Sequence, residues 1–455
     1  MTKKVLALAV LLIGAGGSPV LAATDAAGNT AGAVLSFERA RDLAQEYSKT
    51  YQQELAKERQ AQSRWWQALL ALGPTGTLQA GYILKNKPST MTIDTSAFMP
   101  PGSPAATQEL ELSSNYTSGR VMLSQPLFTG GKLYSGLEMA GLQAESARDS
   151  VRLAGTQLYV DAVEAYYQVV LNQRSLQVME SSLASLEQHL AVVKARYREG
   201  LASNFEVLRS QVQVANLKPS VLRMRTALAL SKNALAMLTG LPLGSPLEVD
   251  DRLEVAAESW ATLPELLARA QERRLELKNL ERSQRLAGIG VRLAATGNVP
   301  NVALTGTWNY YDTEDRGFPP AGENLKHSWD VSLGLSWTFW DNLSALPRAL
   351  EAEAKVQEAE LGRQALVDGI QQQVEAAYLT LTAAQETYQA QQQAVDLARD
   401  SYRLAEVQYA NGQVTNLEVL DARVALNQAE LTALETLYQY RLAGVKLHQA
   451  VGDTF

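Results

Sequence analysis

The chain of 455 residues contains no cysteine and only three histidines. The first absence excludes disulfides, thiolate nucleophiles, Cys-ligated zinc and iron–sulfur clusters, and it removes the acylated cysteine that anchors a lipoprotein. His189, His327 and His448 are too scattered to form a ligand motif and read as surface or packing residues. A basic excess is missing too. Lys and Arg number 41 against 48 Asp and Glu, a formal charge of −7, which argues against a nucleic-acid partner. The sequence has no Gly-x-Ser-x-Gly elbow, Walker loop or His-Glu-x-x-His pair, and acidic pairs such as Asp250-Asp251 read as solvated turns. The expectation is a protein that is not an enzyme, with no catalytic residue, cofactor or bound metal.

Long hydrophobic runs are also absent. No stretch of the mature chain approaches the ~18 uncharged apolar residues of a membrane helix. The run Val5 to Ile13 follows Lys3 and Lys4 and precedes Val20-Leu21-Ala22, the pattern of a signal peptide over residues 1–22. A membrane location would therefore have to be built from strands.

What is present is a duplication. Tyr197-x-x-Gly200-x-x-x-Asn204-x-Glu206-Val207-Leu208 recurs as Tyr409-x-x-Gly412-x-x-x-Asn416-x-Glu418-Val419-Leu420, at an offset of 212 residues that also relates Gly240 to Gly452. The chain reads as a first repeat over 23–240, a proline-rich linker over 241–263 and a second repeat over 264–455. Each repeat predicts helix, strand, loop, strand, very long helix, turn and return helix. The predicted helices cover 34–72, 132–198 and 204–239, then 264–295, 344–410 and 416–450. Strands are expected near 77–84 and 119–128, then 302–310 and 329–339.

The long helices, at ~1.5 Å per residue, would each extend roughly 100 Å, more than a globular core needs. Leu176, Met179, Leu183, Leu186, Leu190, Val193 and Tyr197 alternate spacings of three and four, as in a coiled-coil seam. In the last helix Leu417, Leu420, Val424, Leu431, Leu434 and Tyr438 do likewise. The strand from Trp329 to Phe339 carries Trp329, Val331, Leu333, Leu335, Trp337 and Phe339 on one face and polar residues or glycine on the other, the pattern of a tilted membrane strand with aromatic ends. Two hairpins cannot close a barrel, so strand arithmetic implies pooling with identical chains. A structural or adhesive coiled-coil surface protein without transport activity would account for the helices but not for these strands.

The signal peptide, the duplicated plan, the two Tyr-x-x-Gly turns and the segment Ser124-Gln125-Pro126-Leu127-Phe128 followed by Gly130-Gly131 resemble the TolC-type outer-membrane efflux proteins. The resemblance implies an α+β membrane protein. Its homotrimer would form a twelve-stranded β-barrel, four strands per chain, continued by a long α-helical coiled-coil barrel in the periplasm. It implies a channel-tunnel in the outer membrane of a Gram-negative bacterium, surrounded by outer-membrane lipid. Through a periplasmic adaptor (membrane fusion protein) it would serve an inner-membrane RND or ABC pump, in drug efflux or in type I secretion. By the same resemblance Glu418 and Asp421 would ring a closed periplasmic gate, with Tyr409 and Glu206 bonding to hold it. The basic residue the family places just after the second turn is here Val414. Gly200, Leu201, Ser203, Gly412 and Thr415 would form the turns that receive the adaptor. Ser203-x-x-Glu206 and Thr415-x-x-Glu418 are also capping boxes, which would place both glutamates there in a hairpin without a gate.

Overall fold

The computed structural model describes residues 34–84, 90–94, 100, 107–111, 115–250, 260–313, 327–341 and 343–453. The signal peptide, Asp251 and much of both hairpin loops lie outside the described residues. The elements are α1 (Phe37–Tyr47), α2 (Lys49–Leu70), β1 (Thr75–Leu84), β2 (Thr90–Asp94), β3 (Thr107–Glu111), β4 (Asn115–Phe128), α3 (Lys132–Arg198) and α4 (Asn204–Thr239). They continue as α5 (Leu263–Arg273), α6 (Leu275–Ala295), β5 (Asn301–Thr313), β6 (His327–Ser336), α7 (Ala345–Ala410) and α8 (Asn416–Val451). The architecture is α+β and mostly helical. Among the described residues no helix is long and apolar enough to cross a membrane.

The chain divides into two compact units. One comprises Lys49–Gln157, Ser259–Leu379 and Lys446–Phe455 and holds the sheet, four antiparallel strands in the order β1-β4-β5-β6. Its register pairs Leu78 with Val121, Val121 with Trp308 and Trp308 with Trp329, so these four residues share one face. Two residues along, Leu123, Gly306 and Val331 extend the row. The opposite face carries Gln79, Arg120, Asn309 and Ser328, with the Arg120 Nε donating to Asn309 Oδ1 at 2.9 Å. The apolar face is open. Trp329 is 76% exposed, and Leu78, Leu123, Val331, Leu333 and Leu335 are exposed with it. Between Pro126 and Phe128 the ladder slips by one residue at a bulge, next to a proline that has no N–H to donate.

Several expectations are corrected here. The strand expected to reach Phe339 ends at Ser336, because its partner β5 begins at Asn301 directly opposite and leaves Trp337 to Phe339 nothing to pair with. Trp337 instead donates its Nε1–H to the Asn298 carbonyl at 2.8 Å. Within the first hairpin loop, β2 and β3 form a short antiparallel ladder that the surrounding prolines obscured. The helix expected over 34–72 breaks at Ser48, and that over 264–295 breaks at Arg274. Both residues are extended, with φ −62 and ψ 116 or 117. Neither break carries a glycine or proline. At Arg274 the cause is tertiary: its buried guanidinium donates to the Gln449 and Ala450 carbonyls at the end of α8 and to Gln373 Oε1. Nearby, Arg282 on α6 reaches the buried Asp149 of α3 at 2.6 Å.

The other unit comprises Met1–Ser48, Leu158–Glu258 and Thr380–Val445. Ala40 and Leu43 of α1 pack with Tyr166, Val169 and Val170 of α3, Leu235 and Ala236 of α4, and Leu247 and Val249. Leu35 bridges to Val249, and the Tyr166 hydroxyl donates to the Leu35 carbonyl at 3.0 Å. The expected seam of α3 is buried only in part: Leu186 packs with Val214 and Leu420, and Val193 with Val207, Tyr402, Tyr409, Val419 and Leu426, whereas Leu176, Met179, Leu183 and Leu190 are half-buried and Tyr197 lies exposed. On α8 the expected seam is displaced, because Leu417 and Val424 lie exposed while Asn416, Val419, Leu420, Arg423 and Leu426 are buried. Polar Asn416 and Arg423, one heptad apart, occupy the buried stripe, and a search for apolar spacing passes over them.

Candidate functional site

The two turns are built alike. Gly200 and Gly412 take φ of 75 and 72, the left-handed conformation that suits glycine. At the first turn Leu201 N–H bonds the Arg196 carbonyl at 2.8 Å and Gly200 N–H the Tyr197 carbonyl at 3.0 Å. At the second, Gln413 N–H bonds the Gln408 carbonyl at 2.9 Å and Gly412 N–H the Tyr409 carbonyl at 3.0 Å. Both are Schellman closures that satisfy the last carbonyls of α3 and α7. The return helices begin with their glutamates reaching back. Glu206 Oε1 accepts from Ser203 N–H at 3.2 Å, and Glu418 Oε2 from Thr415 N–H at 2.6 Å. Capping therefore occupies one oxygen of each carboxylate.

The second turn is tethered on both sides to α3 and α4. Before it, the Tyr409 hydroxyl donates to Glu206 Oε2 at 3.4 Å, and Arg196 stacks over the Tyr409 ring with its guanidinium carbon 4.7 Å from the centroid. Arg196 Nη1 also donates to the Tyr409 carbonyl at 2.7 Å. After it, Asn416, only 2% exposed, places its Oδ1 2.6 Å from His189 Nε2 and donates through Nδ2 to the Glu206 carbonyl and Ser210 Oγ. Those two acceptors fix the amide orientation, so His189 Nε2 carries the hydrogen. One heptad further, the buried Arg423 donates to Ser182 Oγ at 3.2 Å and lies 5.0 Å from the Tyr402 ring centre. Burial and the neighbouring Glu206 charge raise the Tyr409 phenol above its ordinary pKa, which keeps it a hydrogen-bond donor.

Among the expected site residues, Tyr409 and Glu206 are thus brought together. Glu418 and Asp421 are exposed on α8, Glu418 holding its own helix start. Gly200, Leu201, Ser203, Gly412 and Thr415 are exposed on the turns. Val414 is half-buried against the apolar cluster of Val193 and Tyr409. The sequence reading missed Arg196, Asn416 and Arg423, and it set His189 aside as a packing residue. The heptad spacing of Asn416 and Arg423 was a usable signal for two of them. Among the described residues no cluster of carboxylates and histidines could hold a metal ion.

An exposed apolar sheet face and a pair of matched helical turns occur here in one duplicated chain, and the sequence profile described as outer membrane efflux protein matches residues 78–241 and 266–453. The chain belongs to the outer membrane efflux protein family. Outer membrane protein TolC of Vibrio cholerae serotype O1 is 24% identical over 340 residues, covering 74% of this chain and 77% of that one. Among solved structures of this fold, the Vibrio cholerae outer membrane protein VceC superposes with a TM-score of 0.74 at 17% identity, covering 92% of this chain and 96% of that one. The open state of the Neisseria gonorrhoeae outer membrane channel MtrE superposes with 0.72 at 16% identity, covering 92% and 89%. Membership assigns this efflux protein to outer-membrane transport.

Proposed function

We propose that this efflux protein is the exit duct of a tripartite export system. Three chains pool four strands each into one closed barrel in the outer membrane of a Gram-negative cell. Their helices wall a periplasmic tunnel that receives small molecules or proteins from an RND or ABC pump through an adaptor, without catalysing a reaction. The observation that carries this reading is the sheet: one face carries an exposed apolar band that includes Leu78, Leu123, Trp329, Val331, Leu333 and Leu335, and β1 and β6 have no outer partner among the described residues. In a bilayer both unpaired edges would leave backbone groups unsatisfied, at several kcal/mol each, and only pairing with further copies removes them.

In this reading Glu418 and Asp421 from three chains crowd carboxylates around the narrow end of the tunnel, where they favour cations and repel anions. Tyr409 and Glu206 hold that end shut, and Gly200, Leu201, Ser203, Gly412 and Thr415 meet the adaptor. The open state solved for MtrE supports a channel of this fold having two arrangements. The test is fractionation, mass analysis in detergent and planar-bilayer recording of the purified protein. A trimer from the outer membrane that conducts ions is expected. A soluble monomer without conductance would overturn the proposal.

A further inference from the structure

Arg196 is not part of the gate described above, yet it grips the second turn more completely than either gate carboxylate does. It sits in the last turn of α3, and its guanidinium engages the end of α7 in three ways. Nη1 donates to the Tyr409 carbonyl at 2.7 Å and more distantly to the Ala410 carbonyl at 3.4 Å. The plane covers the Tyr409 ring at 4.7 Å. Its positive charge lies against the carbonyl end of a helix, where the peptide dipoles favour a cation. Lysine could supply the charge and one hydrogen bond, but it lacks the planar, forked donor set that can reach neighbouring carbonyls while stacking on a ring.

Tyr409 is therefore held by its carbonyl, its ring face and its hydroxyl at once, the first two by Arg196 and the third by Glu206. All of these partners lie within one protomer. No cation follows the turn glycine directly, since Gln413, Val414 and Thr415 stand there and Val414 packs into the apolar cluster. Arg196 Nε is buried with no hydrogen-bond partner among the described residues.

We propose that Arg196 is the cation of the gate lock in this protein, an intraprotomer clamp that positions Tyr409 and holds the α7–α8 turn against α3 and α4 in the closed state. The inference rests on the channel reading above. Opening would then require each protomer to release its own second hairpin from its own first, whatever contacts join neighbouring chains.

The experiment is single-channel recording in planar bilayers of the full mature protein and of Arg196→Ala, Arg196→Lys and Arg198→Ala, each purified as the assembled oligomer. Arg198 is an exposed arginine on the same helix end and controls for removal of charge. The clamp predicts a several-fold rise in conductance or open time for Arg196→Ala, a rise for Arg196→Lys and wild-type behaviour for Arg198→Ala. If Arg196→Ala does not assemble, Arg196→Lys decides. Wild-type conductance in Arg196→Lys, or an equal rise in Arg198→Ala, would overturn the inference. A wild-type protein that conducts nothing would instead overturn the channel reading. A purely structural role would lower the melting temperature of the variants and leave their conductance unmoved.

Discussion

A Cβ atom placed on Gly240 would lie 2.5 Å from the Cβ of Tyr47, closer than carbon atoms can approach. Gly240 ends α4 with φ 73, so a side chain there meets an unfavourable backbone conformation and the Tyr47 ring together. Its equivalent in the second repeat, Gly452, comes against the backbone of Arg273 and Arg274, with the Arg274 nitrogen 3.1 Å from the same imagined atom. In both halves the return helix ends against the point where the leading helix breaks. Gly240→Ala is expected to cost about 2–5 kcal/mol, from left-handed strain plus overpacking. At Gly200, where nothing lies within 4 Å, the same change should cost about 1–2 kcal/mol. Thermal unfolding followed by circular dichroism checks the order, and equal losses would refute the close-approach account.

Asn416 and His189 form a buried polar pair that only mutual satisfaction makes tolerable. Asn416→Leu removes the acceptor of His189 Nε2 and the donor to Ser210 and the Glu206 carbonyl, and it should cost about 1–3 kcal/mol. Asn204, the equivalent residue in the first repeat, is exposed, and its replacement by leucine should change stability by less than about 0.5 kcal/mol. Denaturant titration of both variants tests the contrast.

Tyr438 ties stability to alkaline pH. Burial, reinforced by the Glu164 charge, pushes its phenol from 10.0 up to about 12. The folded chain holds that proton more tightly than the unfolded chain does. Its stabilisation is therefore complete below pH 10 and is lost as pH rises from 10 towards 12. Tyr438→Phe has no proton to lose, so its stability should fall less steeply over that window. Parallel slopes in base titrations of the two proteins would count against the buried phenol.

The two acidic residues in the first two turns of α8, Glu418 and Asp421, should separate by function. Asp421 is exposed and takes no part in the cap, so Asp421→Asn is expected to weaken cation preference in bilayer reversal potentials and leave stability within about 0.5 kcal/mol. Glu418 Oε2 bonds Thr415 N–H and Oγ1, so Glu418→Ala should weaken ion preference and also cost about 0.5–2 kcal/mol. Unchanged reversal potentials in both variants would remove them from the pore.

Much of the fold was legible because it rests on local patterns. Period-two alternation in β6, three-and-four spacing in α3 and the repeated Tyr-x-x-Gly turns each encode an element through neighbours a few residues apart. The candidate site was legible only in part. Tyr409 and Glu206 stand in the duplicated motif, whereas Arg196 is an ordinary last-turn arginine by sequence, and Asn416 differs from its exposed counterpart Asn204 chiefly in having Arg423 one heptad on, where Asn204 has Gln211.

By itself the sequence determined the duplication, the lengths of the helices between their glycine closures, the caps that start the return helices and the division of β6 into an apolar and a polar face. All are consequences of backbone preference and of side-chain period. Tertiary structure decided the breaks at Ser48 and Arg274, the end of β6 at Ser336 and the capture of Tyr409 by Arg196. A helix break without glycine or proline, a strand that stops where its partner stops and a stacked guanidinium depend on residues distant in the chain. Their energies appear only when desolvation and close approach bring those residues together.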